Sequence, residues 1–217
     1  MPDFAQRRLM MVDTQVRPSD VTKFPIIDAM LSVPREAYVP TGLREAAYVG
    51  DNISLGPQRV MLDPRTFAKM LDALDIQPSE MVLVLGAGLG YSAAVIARLA
   101  EAVIAVEGDA ALAAEAERTL SSEGVDNALV MTAPLAAGAA RHGPYDVIVI
   151  EGGVEDVPEA ILTQLKDGGR IAALYMQQGV GVVRTGVRRA GAMTWRDIFN
   201  AAAPVLPGFA RARNFTL

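Results

Sequence analysis

The stretch MVLVLGAGLGYSAAVIARLA, running from Met81 to Ala100, decides the fold. Its first five residues, Met81-Val82-Leu83-Val84-Leu85, form an unbroken aliphatic run of strand length. The glycines that follow, Gly86, Gly88 and Gly90, turn the chain into a helical pattern from Tyr91 to Leu99. A buried strand that passes through glycines into a helix brings backbone N–H groups close to a ligand, and glycine removes the Cβ that would hold that ligand away.

Working outward, the same alternation of short aliphatic runs and longer helical patterns repeats, which is the sign of βαβ units and a mostly parallel sheet. Strands are expected at Ala102–Val106, Ala128–Met131, Asp146–Ile150 and Arg170–Tyr175, with helices at Ala110–Ser122 and Pro158–Leu165. Val180–Arg189 and Met193–Ala201 alternate enough for two further strands, an antiparallel C-terminal edge. The alanine-rich segments 110–117 and 133–140 read as helix by propensity. The fold class is therefore α/β, a Rossmann-like doubly wound sheet.

Ahead of this core, Phe4 to Tyr48 carries helical patterns, with Pro25 near the start of a helix that places Ile26, Ile27, Met30 and Leu31 on one stripe. This is an N-terminal helical cap. Pro34 and Pro40 interrupt it, Gly50 to Pro64 reads as a turn-rich loop able to carry function, and a helix follows over Pro64–Leu74. A chain of 217 residues suits one such domain, with 1–64 as cap and substrate-side loop and 65–217 as the α/β core.

Composition narrows the functional classes. Hydrophobic residues are 51% and charged ones 21%, ordinary for a globular chain. A formal charge of −5 offers no basic footprint for nucleic acid. The absence of cysteine excludes disulfides, thiolate metal sites and cysteine nucleophiles, and suits a reducing cytoplasm. The first 20 residues lack the apolar run of a signal peptide. The longest uncharged run, Met81–Ala97, is broken by three glycines and a tyrosine, so no membrane span or membrane partner is expected.

In a dinucleotide fingerprint the third glycine falls three positions after the second, where this chain has Tyr91. The spacing here is GxGxG, which resembles motif I of the class I S-adenosylmethionine-dependent methyltransferases. Glu107, ending the second strand of the core, stands where a carboxylate can accept both hydroxyls of a ribose; otherwise it is an ordinary surface glutamate. Further segments resemble the protein-L-isoaspartate O-methyltransferase family: SVPREAYVP at 32–40, DNISL at 51–55, Asp63-Pro64 before a helix, VIAVEGD at 103–109, GPYDVIVIEGG at 143–153 and LKDGGRIAAL at 165–174. Tyr91 directly after the glycine loop is a family-like detail.

The resemblance implies a bound S-adenosylmethionine, leaving as S-adenosylhomocysteine, and methyl transfer to the side-position carboxylate of isoaspartyl residues as a first step of protein repair. It implies cofactor contacts from Gly86, Ala87, Gly88, Leu89, Gly90, Tyr91, Ser92, Glu107, Gly108, Ala133, Pro134 and Glu151, and a substrate side formed by Arg59, Val60, Met61 and Leu62. The acceptor it implies is a protein or peptide, or a small molecule.

This chain departs from the family pattern on that substrate side. Typical members carry a longer segment ending Gln-Thr-Ile-Ser before a residue and proline, whereas here Gln58-Arg59-Val60-Met61-Leu62-Asp63-Pro64 is found. The family serine that faces the transferring methyl aligns with Leu62 and the threonine with Val60, so the catalytic position is unassigned. Val84 replaces the motif I acid, Ala133-Pro134 the Gly-Asp near adenine, and Glu151-Gly152-Gly153 the motif II loop. Arg59 is expected either to grip a substrate carboxylate or to lie solvated on its loop. A charged Glu151 would disfavour an anionic substrate. Two activities fit these residues: isoaspartyl-type methylation, or a diverged cofactor-binding homologue acting as sensor or partner.

Other constellations carry less. His142 precedes the Asp146 strand, at the wrong end for an open-sheet site, and reads as a turn residue. One histidine and no cysteine build neither a metal site nor a Ser/His/Asp triad, so metal is expected to be none. Asp3, Asp13, Asp20 and Asp28 read as solvated faces. Met10, Met11 and Met30 read as packing, and Arg184, Arg188, Arg189, Arg211 and Arg213 as surface charge.

Overall fold

The computed structural model describes residues 3–211. Seven strands form one sheet in the order β5-β4-β3-β6-β7-β8-β9. They are β3 (Met81–Leu85), β4 (Ala102–Glu107), β5 (Ala128–Thr132), β6 (Tyr145–Val154), β7 (Leu165–Gln177), β8 (Val180–Arg189) and β9 (Ala192–Asn200). The first five in sequence pair in parallel, and β7-β8-β9 pair antiparallel, so the expected C-terminal edge is present. Because β4 and β6 flank β3 on opposite sides, the chain reverses its direction of winding there, and the crevice beyond the carboxyl ends of β3 and β6 is where open α/β sheets hold ligands.

Period-2 alternation explains the layers. Val82, Val84, Val103 and Ala105 bury against the N-terminal helices α1 (Phe4–Met11) and α2 (Phe24–Ser32) together with α3 (Pro64–Leu74) and α4 (Tyr91–Ala97). Leu83, Leu85, Ile104 and Val106 bury on the opposite face, under Leu135, Ile161, Leu206 and Phe209. Local chemistry sets the helix ends. Asp63 Oδ1 accepts from the Thr66 N–H at 2.9 Å with Pro64 at the first position of α3, and Asp109 Oδ1 accepts from Ala111 and Leu112 at the start of α5 (Ala110–Ser122).

Three expectations need correction. The 50–64 segment is not a bare loop: β1 (Ile53–Gly56) and β2 (Arg59–Met61) make an antiparallel hairpin that forms its own two-stranded sheet. The alanine-rich 133–140 segment is not an α-helix but two 3₁₀ turns, Leu135–Ala137 and Ala140–His142. Gly138, at φ +61°, ends the first turn, and the Gln164 side chain binds the Ala137 carbonyl and the Ala139 N–H, supplying locally what a helix ladder would. The helix expected over 158–165 shrinks to α6 (Glu159–Leu162), because Leu165 already pairs with Tyr145 as the start of β7.

His142 lies in the second 3₁₀ turn, and Met11 and Met30 are buried while Met10 is exposed. Arg184 pairs with Asp197 and Arg188 donates to the Leu165 carbonyl at the sheet edge; Arg213 lies outside the described residues. Among the described residues no helix is long and apolar enough to cross a membrane, and no group of three or more His, Cys, Asp or Glu side chains is placed to hold a metal.

Candidate functional site

The glycine turn between β3 and α4 takes backbone conformations that L side chains rarely adopt: φ is +85° at Gly86, +57° at Gly88 and +97° at Gly90. The Gly86 and Ala87 N–H groups both donate to the Val106 carbonyl, at 2.9 and 3.2 Å, which ties the turn to the end of β4. A Cβ at Gly90 would meet Leu120 and Ala116 of α5 at 3.3–3.4 Å, so the third glycine serves close helix packing.

Glu107 is the electrostatic centre. It is fully buried at the end of β4, and its carboxylate accepts from the Gly88 N–H at 2.7 Å, the Gly108 N–H at 2.8 Å and the Asp109 N–H at 3.1 Å. It is no surface glutamate. Its remaining acceptor capacity is filled by Arg59, which donates from Nε at 3.3 Å and from Nη2 in a still closer contact. With both side chains almost completely buried, this is an ion pair shielded from solvent. The structure thus corrects both expectations for Arg59: it is neither solvated nor free to grip a substrate, because the hairpin carries it inward onto Glu107.

Around this pair the hairpin closes over the turn. Leu55 of β1 lies so near Gly88 that a Cβ there would come within 2.5 Å of its Cδ1. Leu206, from the C-terminal segment laid along β6, closes the far side, 2.6 Å from where a Gly152 Cβ would be and 3.3 Å from that of Gly86. Leu55, Val60, Met61, Leu89, Tyr91, Ser92 and Glu151 then join Gly86 and Ala87 around a cavity of only about 10 Å³. Small-ligand sites are roughly 300–1,000 Å³.

Glu151, in β6, has its carboxyl buried with Oε1 lacking a protein partner. Burial pushes this group up to about 8, against the pull of the Arg35 and Arg59 guanidinium groups, so it is protonated at neutral pH. The expected repulsion of an anionic substrate is accordingly weakened, since burial favours the neutral acid at the cavity wall. Two other buried polar atoms near it are unpartnered, Arg59 Nη1 and Tyr91 Oη. Native interiors leave few such atoms, and three of the six among the described residues lie around this site.

Not every expected residue reaches the cavity. Gly108 and Pro134 are exposed, and Ala133 is half-buried, its N–H donating to the Glu107 carbonyl, so these three form a rim beyond Glu107. Leu62 is 1% exposed and packs in the hydrophobic core; its carbonyl accepts from Arg35 Nη2 at 2.7 Å. The position expected to face the transferring methyl is thus held by a core residue in this chain. Burial pushes the Tyr91 phenol upward, and its ring packs between Tyr38 and Phe67 beneath the Arg35 guanidinium, 4.7 Å from its centroid.

Arg35 is the site residue that sequence reasoning missed. Fully buried, it donates to the Ala47 carbonyl from Nε and to Leu62 from Nη2, both at 2.7 Å, and so joins the cap to the end of the hairpin. Its signal was its place inside the SVPREAYVP segment, where Arg35-Glu36 interrupts an otherwise apolar run.

Whether these groups suit an adenosyl ligand can be judged from the geometry. A strand-end carboxylate ringed by backbone N–H groups, a turn without Cβ atoms and three unsatisfied polar atoms fit one in kind. The room for it is held by the protein's own hairpin.

Comparison with known proteins shows what this chain is similar to. Residues 7–193 match the family model described as protein-L-isoaspartate(D-aspartate) O-methyltransferase. A protein-L-isoaspartate O-methyltransferase of Syntrophus aciditrophicus is 36% identical over 171 residues, covering 79% of this chain and 78% of that protein. One from Methylorubrum extorquens is 37% identical over 176 residues, covering 79% and 75%. Among solved structures, a protein-L-isoaspartate O-methyltransferase superposes with a TM-score of 0.80 at 21% identity, over 94% of this chain and 66% of that one. A Plasmodium falciparum protein of the same description, crystallised with S-adenosyl-L-homocysteine, gives 0.79 at 15% identity, over 92% and 97%.

Proposed function

Because this chain belongs to the protein-L-isoaspartate(D-aspartate) O-methyltransferase family, we propose that it methylates the carboxylate of isoaspartyl residues, or a closely related acceptor, at the crevice beyond β3 and β6. The acceptor is a protein or peptide met in the cytoplasm. S-adenosylmethionine, the methyl donor of the family, supplies a methyl group already activated on a sulfonium. Little acid or base help is then required from the protein, since the acceptor carboxylate is itself the nucleophile, and positioning supplies most of the acceleration.

The observation that carries this reading is Glu107, held by the Gly88, Gly108 and Asp109 N–H groups at the mouth of a glycine turn. In that position it would hold the ribose hydroxyls, with Gly86 to Gly90 giving close backbone approach and Gly108, Ala133 and Pro134 on the adenine side. Leu89 would supply an apolar surface beside the ligand, and Tyr91, Ser92 and Glu151 the polar wall.

A second reading, a cofactor-binding homologue without repair chemistry, is favoured by the burial of Leu62 in place of a hydroxyl on the substrate side. One experiment separates the two. Purified protein is incubated with methyl-labelled S-adenosylmethionine and a peptide containing isoaspartate, beside its aspartate isomer. Label on the isoaspartyl peptide alone is the expected result, and cofactor binding without transfer to any carboxylate peptide would overturn it.

A further inference from the structure

We propose that Arg59 occupies the place of the cofactor's ribose in the resting protein, so that S-adenosylmethionine binds by exchange: it takes Glu107 from Arg59 and lifts the β1–β2 hairpin off the glycine turn. The proposal rests on the cofactor reading of Glu107 given above.

The hairpin is built to let go. Among the described strands β1 and β2 pair only with each other, in a sheet separate from the seven-stranded one, and an isolated two-stranded unit is marginally stable by itself. Its tip, Gly56-Pro57-Gln58, is exposed, with positive φ at Gly56 and Gln58. Its base is fastened: the Asn52 side chain accepts from the Asp63 N–H at 2.9 Å and donates to the Ala202 carbonyl at 2.8 Å. A segment fixed at Asn52 and Asp63 and loose at its tip can pivot at that base.

The paired Ile53 and Met61 are buried in the core and anchor the base; two contacts nearer the tip hold the rest down, and both lie in the cofactor's space. Leu55 sits over Gly88, where a bound ligand needs the missing Cβ. Arg59 holds Glu107 by two donor atoms, with Nη1 left unpartnered. When the guanidinium leaves, Glu107 still keeps its three backbone donors, and a ribose diol can fill the vacated acceptor positions. Arg59, freed at the hairpin, regains water. The exchange swaps one set of hydrogen bonds for another, and no charge is left buried without a partner.

A competitor inside the protein lowers apparent affinity by the fraction of molecules in the open form. Removing Arg59 while leaving Glu107 intact therefore tightens cofactor binding, the reverse of what losing a binding residue does. The test is calorimetric titration of S-adenosylhomocysteine into wild type, Arg59→Gln and Arg59→Lys, with hydrogen exchange of residues 53–61 measured in wild type with and without ligand. We expect binding to Arg59→Gln tighter by about tenfold or more, as for a charged hydrogen bond no longer broken, an intermediate gain for Arg59→Lys, and faster exchange of the hairpin amides when ligand is bound. Equal or weaker affinity in both variants, or hairpin amides that gain protection, overturns the exchange and leaves the cofactor reading standing. Failure of all three proteins to bind overturns the cofactor reading itself, and the exchange with it. The wild-type exchange measurement decides the matter even if a variant does not fold.

Discussion

The Arg59–Glu107 pair makes an asymmetric demand on stability that a double-mutant cycle can read. Glu107→Gln leaves the Arg59 guanidinium buried with no anion, and breaking a buried pair in that way costs about 3–5 kcal/mol. Arg59→Met removes the cation but leaves the Glu107 carboxylate with the Gly88, Gly108 and Asp109 N–H groups, while the methionine keeps much of the arginine stem's packing. That loss is confined to the charged hydrogen bonds, about 1.5–3 kcal/mol. The double variant buries neither charge, so its cost stays near that of Arg59→Met alone, giving a coupling of about 3–5 kcal/mol, the size of the Glu107→Gln cost itself. Urea unfolding followed by far-ultraviolet circular dichroism measures all four proteins. At an m-value of about 2 kcal/mol/M the Glu107→Gln midpoint falls by about 1.5–2.5 M. Costs that add to within about 0.5 kcal/mol, or Arg59→Met costing more than Glu107→Gln, would refute the argument that the backbone donors of the glycine turn and the β4 end sustain the carboxylate alone.

Three further outcomes follow from the site. The Glu151 carboxyl is raised from 4.5 in the unfolded chain to about 8 in the folded one, so the native state holds the extra proton between those values and stability declines with rising pH across that window, by up to about 1.4 kcal/mol per pH unit; Glu151→Gln should flatten the decline, as seen by urea midpoints at pH 5.5 and 7.5. Leu62→Ser, which restores the family residue in name, puts a hydroxyl into the core and should destabilise by about 2–4 kcal/mol without raising turnover on an isoaspartyl peptide, whereas a rise in turnover would place that side chain at the reacting atoms. Arg35→Lys cannot span the Ala47 and Leu62 carbonyls with a planar fork and should lower stability by about 2 kcal/mol and speed hydrogen exchange at the end of the hairpin, an unchanged melting curve being the contrary result.

The parallel core was legible because its strands are buried on both faces and its glycine turn has one structural use; β3 and β8 run over the residues expected from the sequence. The position of Glu107 at a strand end beside the glycine turn was legible because it follows from spacing along one βαβ unit. Arg59 was not. Its partner is 48 residues away, and Gly56-Pro57-Gln58 followed by an arginine has the composition of a solvated turn. Only the pairing of Ser54 with Val60 and Ile53 with Met61 turns the hairpin so that residue 59 enters the protein. The protonation of Glu151 was hidden for a related reason: it depends on how completely β6, the hairpin and the cap enclose the carboxyl, a tertiary quantity that position along a strand does not reveal. Alanine content misled at 133–140, where Pro134, Gly138 and the Gln164 side chain outweigh propensity.

These groups together define what the crevice accepts. Arginine keeps its charge at all relevant pH, so Arg35 and Arg59 bring two positive charges to the site, the Glu107 carboxylate offsets one, and protonated Glu151 offsets none. The Arg35 charge is met only by the Ala47 and Leu62 carbonyls and the face of Tyr91, dipoles and a π-system in place of an anion. Near the cavity the resting interior therefore carries one uncompensated positive charge, inside apolar walls that do not screen it, and the sulfonium of a bound S-adenosylmethionine would restore that charge where Arg59 leaves. An anionic acceptor is what such a field favours, and a neutral Glu151 is the condition for it: ionised, that side chain would cancel the excess and turn a carboxylate away. The acid that looked in the sequence like an argument against a carboxylate substrate becomes, once buried, part of the reason for one.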